Sequence, residues 1–435
     1  MAFVAPSAYP LGGVADWLDY LLAGLAAQGV TSQLLLVDGS GHDVGRYLKR
    51  HPWSSVVGVS NPTGSHEGRV RALKAAIERS QAELVVSVNI VDVYEAIRRL
   101  RARLASGGPR VAMALHGLQG NLLEDIRRHS DVLDGVVATN RLSVAMATKA
   151  LGHEGRVHYA PYGVPAGQPS VRSRAPDGVV RLLYAGRVEQ DQKRVLDLPL
   201  ILKGMRASGC DARLSIAGGG PMAPELRRVF DQHGMTRAVD WLGDLDVSRL
   251  AQEYRSHDAL LITSEWETGP IVAWEAMSHG LPIVSSRYIG SGLEGALVDG
   301  RTAVLFEIGD IDGAVAAIMR LLDANVRFQV VAGGLALANE RFSREASVGA
   351  WRRALEAVID SPRKPAVAPR LSSPAGRLDR LFGVERAEDL RRLLGIRFVP
   401  DSPGAAWPHS EEGAAGQDAF LRCAQARDST WYTGS

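Results

Sequence analysis

The chain has 435 residues, a length that suggests two or three domains. With 46% hydrophobic and 23% charged residues it has an ordinary globular composition, and a net charge of +2 leaves no global field that would favour nucleic acid. Only two cysteines occur, Cys210 and Cys423, far apart and without metal-ligand company, which argues against a disulfide framework and for a reducing cytoplasm.

In chain order, Met-Ala-Phe-Val-Ala-Pro at the start lacks the basic and apolar regions of a signal peptide and reads as a first buried strand. No window reaches the roughly 18 uninterrupted apolar residues of a membrane span. The expectation is a cytoplasmic protein, with contact at the inner membrane surface left open. Short β-rich runs recur at Phe3–Ala5, Gln33–Val37, Ser55–Val59, Glu83–Val88, Arg110–Leu115 and Gly135–Ala138. Between them lie helical patterns, such as Val14, Trp17, Leu18, Leu21, Leu22 and Leu25 on one face. That alternation implies a parallel sheet covered on both sides. Residues 165–180, rich in Pro, Gly and Ser, are the best linker candidate, separating a first domain at 1–164 from a second at 181–343. The second series runs through Arg181–Ala185, Ala212–Ala217, Val239–Leu242, Ala259–Ile262, Ile283–Ser285 and Ala303–Phe306.

From residue 361 the texture changes to a Pro-rich basic spacer. Leu378, Leu381, Leu390, Leu393 and Leu394 suggest two short amphipathic helices separated by Gly383, and the Gly/Ala/Ser/Pro-rich chain beyond Pro400 reads as disordered. The 361–435 extension is thus expected to be partly disordered, with no legible function. Ile97, Leu100 and Leu104 lie on one face of the basic run Arg98–Arg103. Such a helix suits peripheral contact with anionic lipid, although most basic runs are solvated faces of ordinary helices.

The densest chemistry lies in Glu267-Thr-Gly-Pro-Ile-Val-Ala-Trp-Glu275. Glu267 follows a hydrophobic strand, in a loop with Gly269 and Pro270, and Glu275 falls in the helix expected from Ile271 to His279. A helix N-terminus beside a Gly-containing loop suits phosphate, because its first N–H groups lack intrahelical partners. A nearby carboxylate accepts hydrogen bonds from vicinal sugar hydroxyls. Phosphate and sugar together point to a nucleotide-sugar.

The stretch from Ser264 to Ser286 resembles the Glu-x7-Glu signature of the GT4 family of retaining glycosyltransferases, which have the GT-B fold. It departs from the pattern where Thr268 replaces a Gly, Gly269 an aromatic residue and Pro270 a second Gly; Pro270 also removes one backbone N–H. The resemblance covers roughly residues 1–360. It implies two Rossmann-like doubly wound α/β domains facing across a cleft, with a helix over 344–360 crossing back to the first domain and a C-terminal extension.

Further motifs fit that pattern. Gly186-Arg187 with Lys193 resembles the family's Gly-Arg-x5-Lys, where Arg187 offers a planar fork and Lys193 a mobile point charge to the leaving diphosphate. Gly219 and Gly220 before Pro221 resemble a turn that approaches the nucleotide closely. Gly12 and Gly13 match a loop that touches the donor phosphate or the acceptor, and Asp16 is placed to serve the acceptor hydroxyl or, more plainly, to complement a helix dipole. His116 resembles the family's strand-end His facing the sugar. Thr268, Gly269, Pro270 and Ile271 would form the donor loop, Glu275 would hold the ribose, and Glu267 would bind the transferred sugar.

The implied reaction moves a sugar from a nucleoside diphosphate, with UDP or GDP favoured, to a hydroxyl of a sugar, lipid-linked glycan or small molecule. It proceeds with retention and needs no metal or cofactor. Two Asp-x-Asp triplets, Asp244–Asp246 and Asp310–Asp312, are discounted as metal sites because both fall at loops or helix starts. The alternatives are another GT-B enzyme (an epimerase or a glycoside phosphorylase) and a catalytically weak nucleotide-sugar-binding scaffold.

Overall fold

All strand pairings in the two sheets are parallel, and in each sheet the strand order reverses beside the strand that comes first in the chain. The computed structural model describes residues 1–7, 13–39, 41–104, 107–169, 178–370, 372–374, 376–398 and 414–429. The chain forms two units: residues 1–139, 143–160 and 348–420 make the first, and 140–142, 161–347 and 421–435 the second.

In the first unit the strands are β1 (Ala2–Pro6), β2 (Gln33–Asp38), β3 (Val56–Ser60), β4 (Leu84–Val88), β5 (Arg110–Leu115), β6 (Gly135–Ala138) and β7 (Val157–Tyr159), in the order β3-β2-β1-β4-β5-β6-β7. Val4, Leu35, Val85, Val111 and Val136 contribute to one fully buried core. Near-continuous apolar strands are what a sheet covered by helices on both faces requires. Six of these strands match the apolar runs of the sequence. The three-residue β7 does not, because Val-His-Tyr carries too little apolar pattern to announce a strand. The helix Gly13–Ala27 buries Trp17, Leu18, Leu21, Leu22 and Leu25, the face that its spacing marks.

The second unit contains β8 (Val180–Ala185), β9 (Ala212–Ala217), β10 (Val239–Gly243), β11 (Ala259–Ile262), β12 (Ile283–Ser286) and β13 (Val304–Phe306), ordered β10-β9-β8-β11-β12-β13. Helix Ile271–Ser278 is fixed in this unit by Trp274, whose ring stacks on Phe342 at 3.9 Å between centroids and 2° between planes. The helix Arg344–Asp360 starts in the second unit and belongs to the first from Val348 onward.

The basic run on helix Asp92–Arg103 is not a lipid-facing surface. Arg98 is fully buried and paired with Glu95 and Asp131, Arg101 is buried against Asp134, and Arg99 pairs with Glu67 at 2.7 Å. These guanidiniums tie neighbouring helices and loops of the unit together, which the periodicity of one helix cannot reveal.

Residues 361–398 are an integral part of the first unit. Helices Arg377–Phe382 and Val384–Leu394 form where the leucine pattern places them. Glu388, with no exposure, accepts from Thr63 Oγ1 at 2.9 Å and Ser65 Oγ at 2.5 Å, and Phe398 N–H donates to Thr63 O at 2.7 Å. Beyond Pro400, residues 401–413 lie outside the described residues, but Ala414–Ser429 is a helix where composition suggests disorder. Its buried Asp428 accepts from the backbone N–H groups of Gly290 (2.7 Å), Gly292 (3.1 Å) and Leu293 (2.8 Å). Among the described residues no single helix is long and apolar enough to cross a membrane.

Candidate functional site

In the second unit the strand order reverses between β8 and β11, which are paired neighbours. At such a switch point the loops leaving the two strand ends diverge and open a crevice for ligands. The loop after β8 carries Arg187, Gln192 and Lys193, and the loop after β11 carries Ser264 and Glu267. Topology therefore joins two motifs that lie far apart in sequence.

Glu267, 6% exposed, is the centre of this arrangement. Its Oε1 accepts from Lys193 Nζ at 2.5 Å and Ser264 Oγ at 2.7 Å, and its Oε2 accepts from Gln192 Nε2 at 3.3 Å. The two loops are also stitched by backbone: Glu265 N–H donates to Gln192 O (2.8 Å), and Thr263 Oγ1 donates to Lys193 O (2.7 Å). A carboxylate oriented by a cation and two neutral donors is a fixed acceptor for hydroxyl groups.

Arg187 is placed differently. Its side chain is 67% exposed, and the guanidinium donates to Glu189 Oε2 and Gln192 Oε1, both at 2.9 Å. An incoming phosphate would replace the Glu189 carboxylate as its partner, exchanging one anion for another.

Helix Ile271–Ser278 begins immediately after the Glu267 loop, with Pro270 at the N-cap position. Ala273 N–H donates to Pro270 O at 2.9 Å, so the amides of Ile271 and Val272 precede the helix's first internal bond and suit an anion. Gly269 turns the chain into this helix at φ +99°, a conformation that side chains disfavour, while Thr268 is half-buried beside it. Glu275 accepts from the buried Tyr254 hydroxyl at 2.8 Å. Burial first, and the Glu275 carboxylate second, hold the Tyr254 phenol well above the ordinary tyrosine range, so it remains a donor.

The Gly-rich turn after β9 also lies at this end of the sheet. A Cβ on Gly220, at φ +158°, would meet Val188 O at 2.4 Å, so the residue allows the loops after β8 and β9 to touch. Gly219 has room for a side chain, the nearest atom being Asp244 Oδ1 at 3.7 Å.

The remaining candidates belong to the first unit. His116 immediately follows β5 and packs edge-on to Trp17 at 4.4 Å and stacked on Trp351 at 6.1 Å. It is 8% exposed, and burial lowers its pKa to about 3, so the ring is neutral at physiological pH. That environment suits a positioned neutral ring and opposes a protonated one. Gly13 opens helix Gly13–Ala27 and Asp16 is exposed in its first turn, whereas Gly12 lies outside the described residues. Among the described residues, the one group of three metal-type donors is Asp16, Asp19 and His51, whose ligand atoms lie within 4.8 Å of one another. There His51 Nδ1 is bound directly to Asp19. Of the Asp-x-Asp triplets, Asp246 and Asp310 cap helices by accepting from Arg249 N–H (2.8 Å) and Gly313 N–H (2.9 Å).

Gln192, Ser264 and Tyr254 join the site without having been marked by sequence. Gln192 precedes Lys193 and Ser264 lies three residues before Glu267, so both sat inside recognised motifs. Tyr254 carried no signal, since a tyrosine on an amphipathic helix reads as core.

Residues 179–324 match the family model described as glycosyl transferases group 1. That match lies within the second unit, and the two parallel sheets have the arrangement of the GT-B glycosyltransferase fold. Over 162 residues it is 34% identical to a glycogen synthase of Mycobacterium tuberculosis, a match spanning 37% of this chain and only 38% of that enzyme. The lipopolysaccharide outer core galactosyltransferase WaaB superposes with a TM-score of 0.66 at 18% identity, over 82% of this chain and 99% of that one. Anabaena HepE, solved with UDP and glucose, superposes with a TM-score of 0.64 at 16% identity, over the same shares of the two chains.

Proposed function

We propose that the protein is a retaining glycosyltransferase that moves a hexose or related sugar from a nucleoside diphosphate to a hydroxyl acceptor without a metal ion. The observation that carries this reading is the convergence of Lys193 and Glu267, at 2.5 Å, beside the N-terminus of helix Ile271–Ser278. A cation, a fixed carboxylate and free helix amides are the parts that a nucleotide-sugar needs. UDP is favoured over GDP, because the solved neighbour HepE holds UDP with glucose.

In this reading the diphosphate lies at the Ile271 and Val272 amides, with Arg187 and Lys193 drawing its charge. Glu275, oriented by Tyr254, accepts from the ribose hydroxyls, and Glu267 accepts from hydroxyls of the transferred sugar. The bond from the anomeric carbon to the β-phosphate oxygen breaks, and its electron pair stays on the phosphate. The acceptor oxygen bonds to the same face of that carbon and its proton passes to the leaving phosphate. Developing charge on the diphosphate is met by groups already in place, the general source of electrostatic catalysis. The acceptor class comprises sugars, lipid-linked glycans and small hydroxyl compounds.

The test is a donor screen with chelator present, measuring thermal stabilisation and slow hydrolysis for UDP-, GDP-, ADP- and dTDP-sugars on the wild type and Glu275→Ala. Stabilisation by a UDP-sugar with chelator-insensitive hydrolysis, both lost in the variant, is the expected result. If no nucleotide-sugar stabilises the wild type, the donor site is wrongly assigned. The substitution of Pro270 into the donor loop would then favour a scaffold without transfer activity.

A further inference from the structure

The two short helices of the C-terminal extension are amphipathic the wrong way round. Of the twelve large apolar side chains that stand exposed among the described residues, six fall between Leu381 and Phe398. They are Leu381 (75% exposed), Phe382 (49%), Leu393 (80%), Leu394 (64%), Ile396 (42%) and Phe398 (39%). Apart from Ala387, the side chains that this segment buries are charged: Asp379 and Arg391 are 4% exposed and Glu388 is fully buried.

Asp379 and Arg391 bind each other at 2.6 Å, which sets the register of the two helices. Leu381 and Leu393 each follow one member of that pair by two residues, a turn of about 200° that puts both on the outer side. Glu388 meanwhile docks the inner side on Thr63 and Ser65, and Arg71 donates to Glu385 O at 3.1 Å. Polar bonds thus hold the hairpin on its own unit and leave the apolar side outward. Burying charge while exposing leucine is unfavourable in water, so the arrangement fits a protein whose outer side meets an apolar phase.

Charge selects the partner. The exposed ionisable residues between Arg377 and Phe398 are Arg377, Arg380, Arg386, Arg392 and Arg397 against Glu385 and Asp389. Asp389 is already paired with Arg71 at 2.5 Å. Arg392 is likewise held by Glu388 at 2.9 Å, which leaves Arg377, Arg380, Arg386 and Arg397 in excess over Glu385. Leucine and phenylalanine among such an excess of arginines match a bilayer interface, where apolar side chains enter the acyl boundary and guanidiniums meet anionic headgroups.

We propose that the Arg377–Phe398 hairpin is a docking surface for anionic phospholipid membrane. The surface is separate from the donor site, and neither outcome below depends on glycosyl transfer. Full-length protein is floated with vesicles of phosphatidylcholine carrying a minor share of phosphatidylglycerol, and with vesicles of phosphatidylcholine alone. Leu381→Asp/Leu393→Asp is compared, along with Arg380→Gln/Arg386→Gln. The melting temperature and light-scattering mass of each protein are measured in parallel.

The expected result is binding to the anionic vesicles alone, weakened at least about tenfold by the aspartate pair and weakened also by the glutamine pair or by added salt. Melting temperatures should stay unchanged, since the altered side chains stand in water. Absence of wild-type binding, or binding that the aspartate pair leaves intact, would overturn the proposal. So would a wild-type dimer that the aspartate pair converts to monomer without any vesicle binding, because the face would then join two copies of the chain.

Discussion

Lys193 and Glu267 lie 74 residues apart in the chain, yet their charged ends meet at 2.5 Å where β8 and β11 run side by side. The pair is mostly shielded from water, with 16% of the lysine and 7% of the glutamate side chain exposed. Removing one member leaves a shielded charge without its partner. Lys193→Met should therefore cost about 3 kcal/mol in urea unfolding. Lys193→Met/Glu267→Gln should recover most of that loss while donor hydrolysis stays absent. Recovery of hydrolysis in the double variant would show that the pair is structural only.

Tyr254 donates to Glu275 at 2.8 Å, and removal of its hydroxyl tests whether that orientation matters. A hydrogen bond to a charged group contributes about 1.5 kcal/mol, roughly a tenfold change in affinity. Tyr254→Phe should accordingly raise the nucleotide Kd about tenfold by calorimetry. An unchanged Kd would reduce Tyr254 to a packing residue.

His116 makes the fold sensitive to acid. Its pKa is lowered from 6.5 to about 3 by burial between Trp17 and Trp351, so the native state prefers the neutral ring. Below pH 6.5 the unfolded chain takes up a proton that the native chain refuses. Stability therefore falls with decreasing pH, at about 1.4 kcal/mol per pH unit, until the native ring also protonates near pH 3. His129, lowered to about 4 by burial and then by Arg98, acts in the same direction. Denaturant melts between pH 7 and pH 4 should show a shallower acid slope for His116→Asn than for wild type. Parallel slopes would mean that the ring is protonated in the folded state.

Asp428 anchors the C-terminal helix Ala414–Ser429 through three backbone amides. Asp428→Ala leaves those donors without the carboxylate, a loss of about 1–3 kcal/mol from the helix's attachment. Limited proteolysis within that helix should accelerate about tenfold or more, because cleavage follows the population of the open form. Asp428→Asn, which keeps one acceptor oxygen, should fall between. Equal cleavage in all three would show that other contacts hold the helix.

By itself the sequence determined the class of architecture and most of its parts. Alternating apolar strands and amphipathic helices mark every strand except β7, because burial on both faces demands apolar side chains at consecutive positions. Local chemistry likewise marked Glu267, Glu275, Arg187 and Lys193, each within a short motif. Tertiary structure alone decided which of these meet. Lys193 reaches Glu267 because β8 and β11 are neighbours, whereas Arg187 turns to Glu189, and no spacing along one segment encodes a pairing between two. The same limit explains the basic run at Arg98, whose partners Asp131, Asp134 and Glu67 come from other segments. It also explains the C-terminal helices, where periodicity predicts an apolar face but not its direction. That direction was set by Glu388, a buried carboxylate whose hydroxyl donors Thr63 and Ser65 lie more than 300 residues earlier.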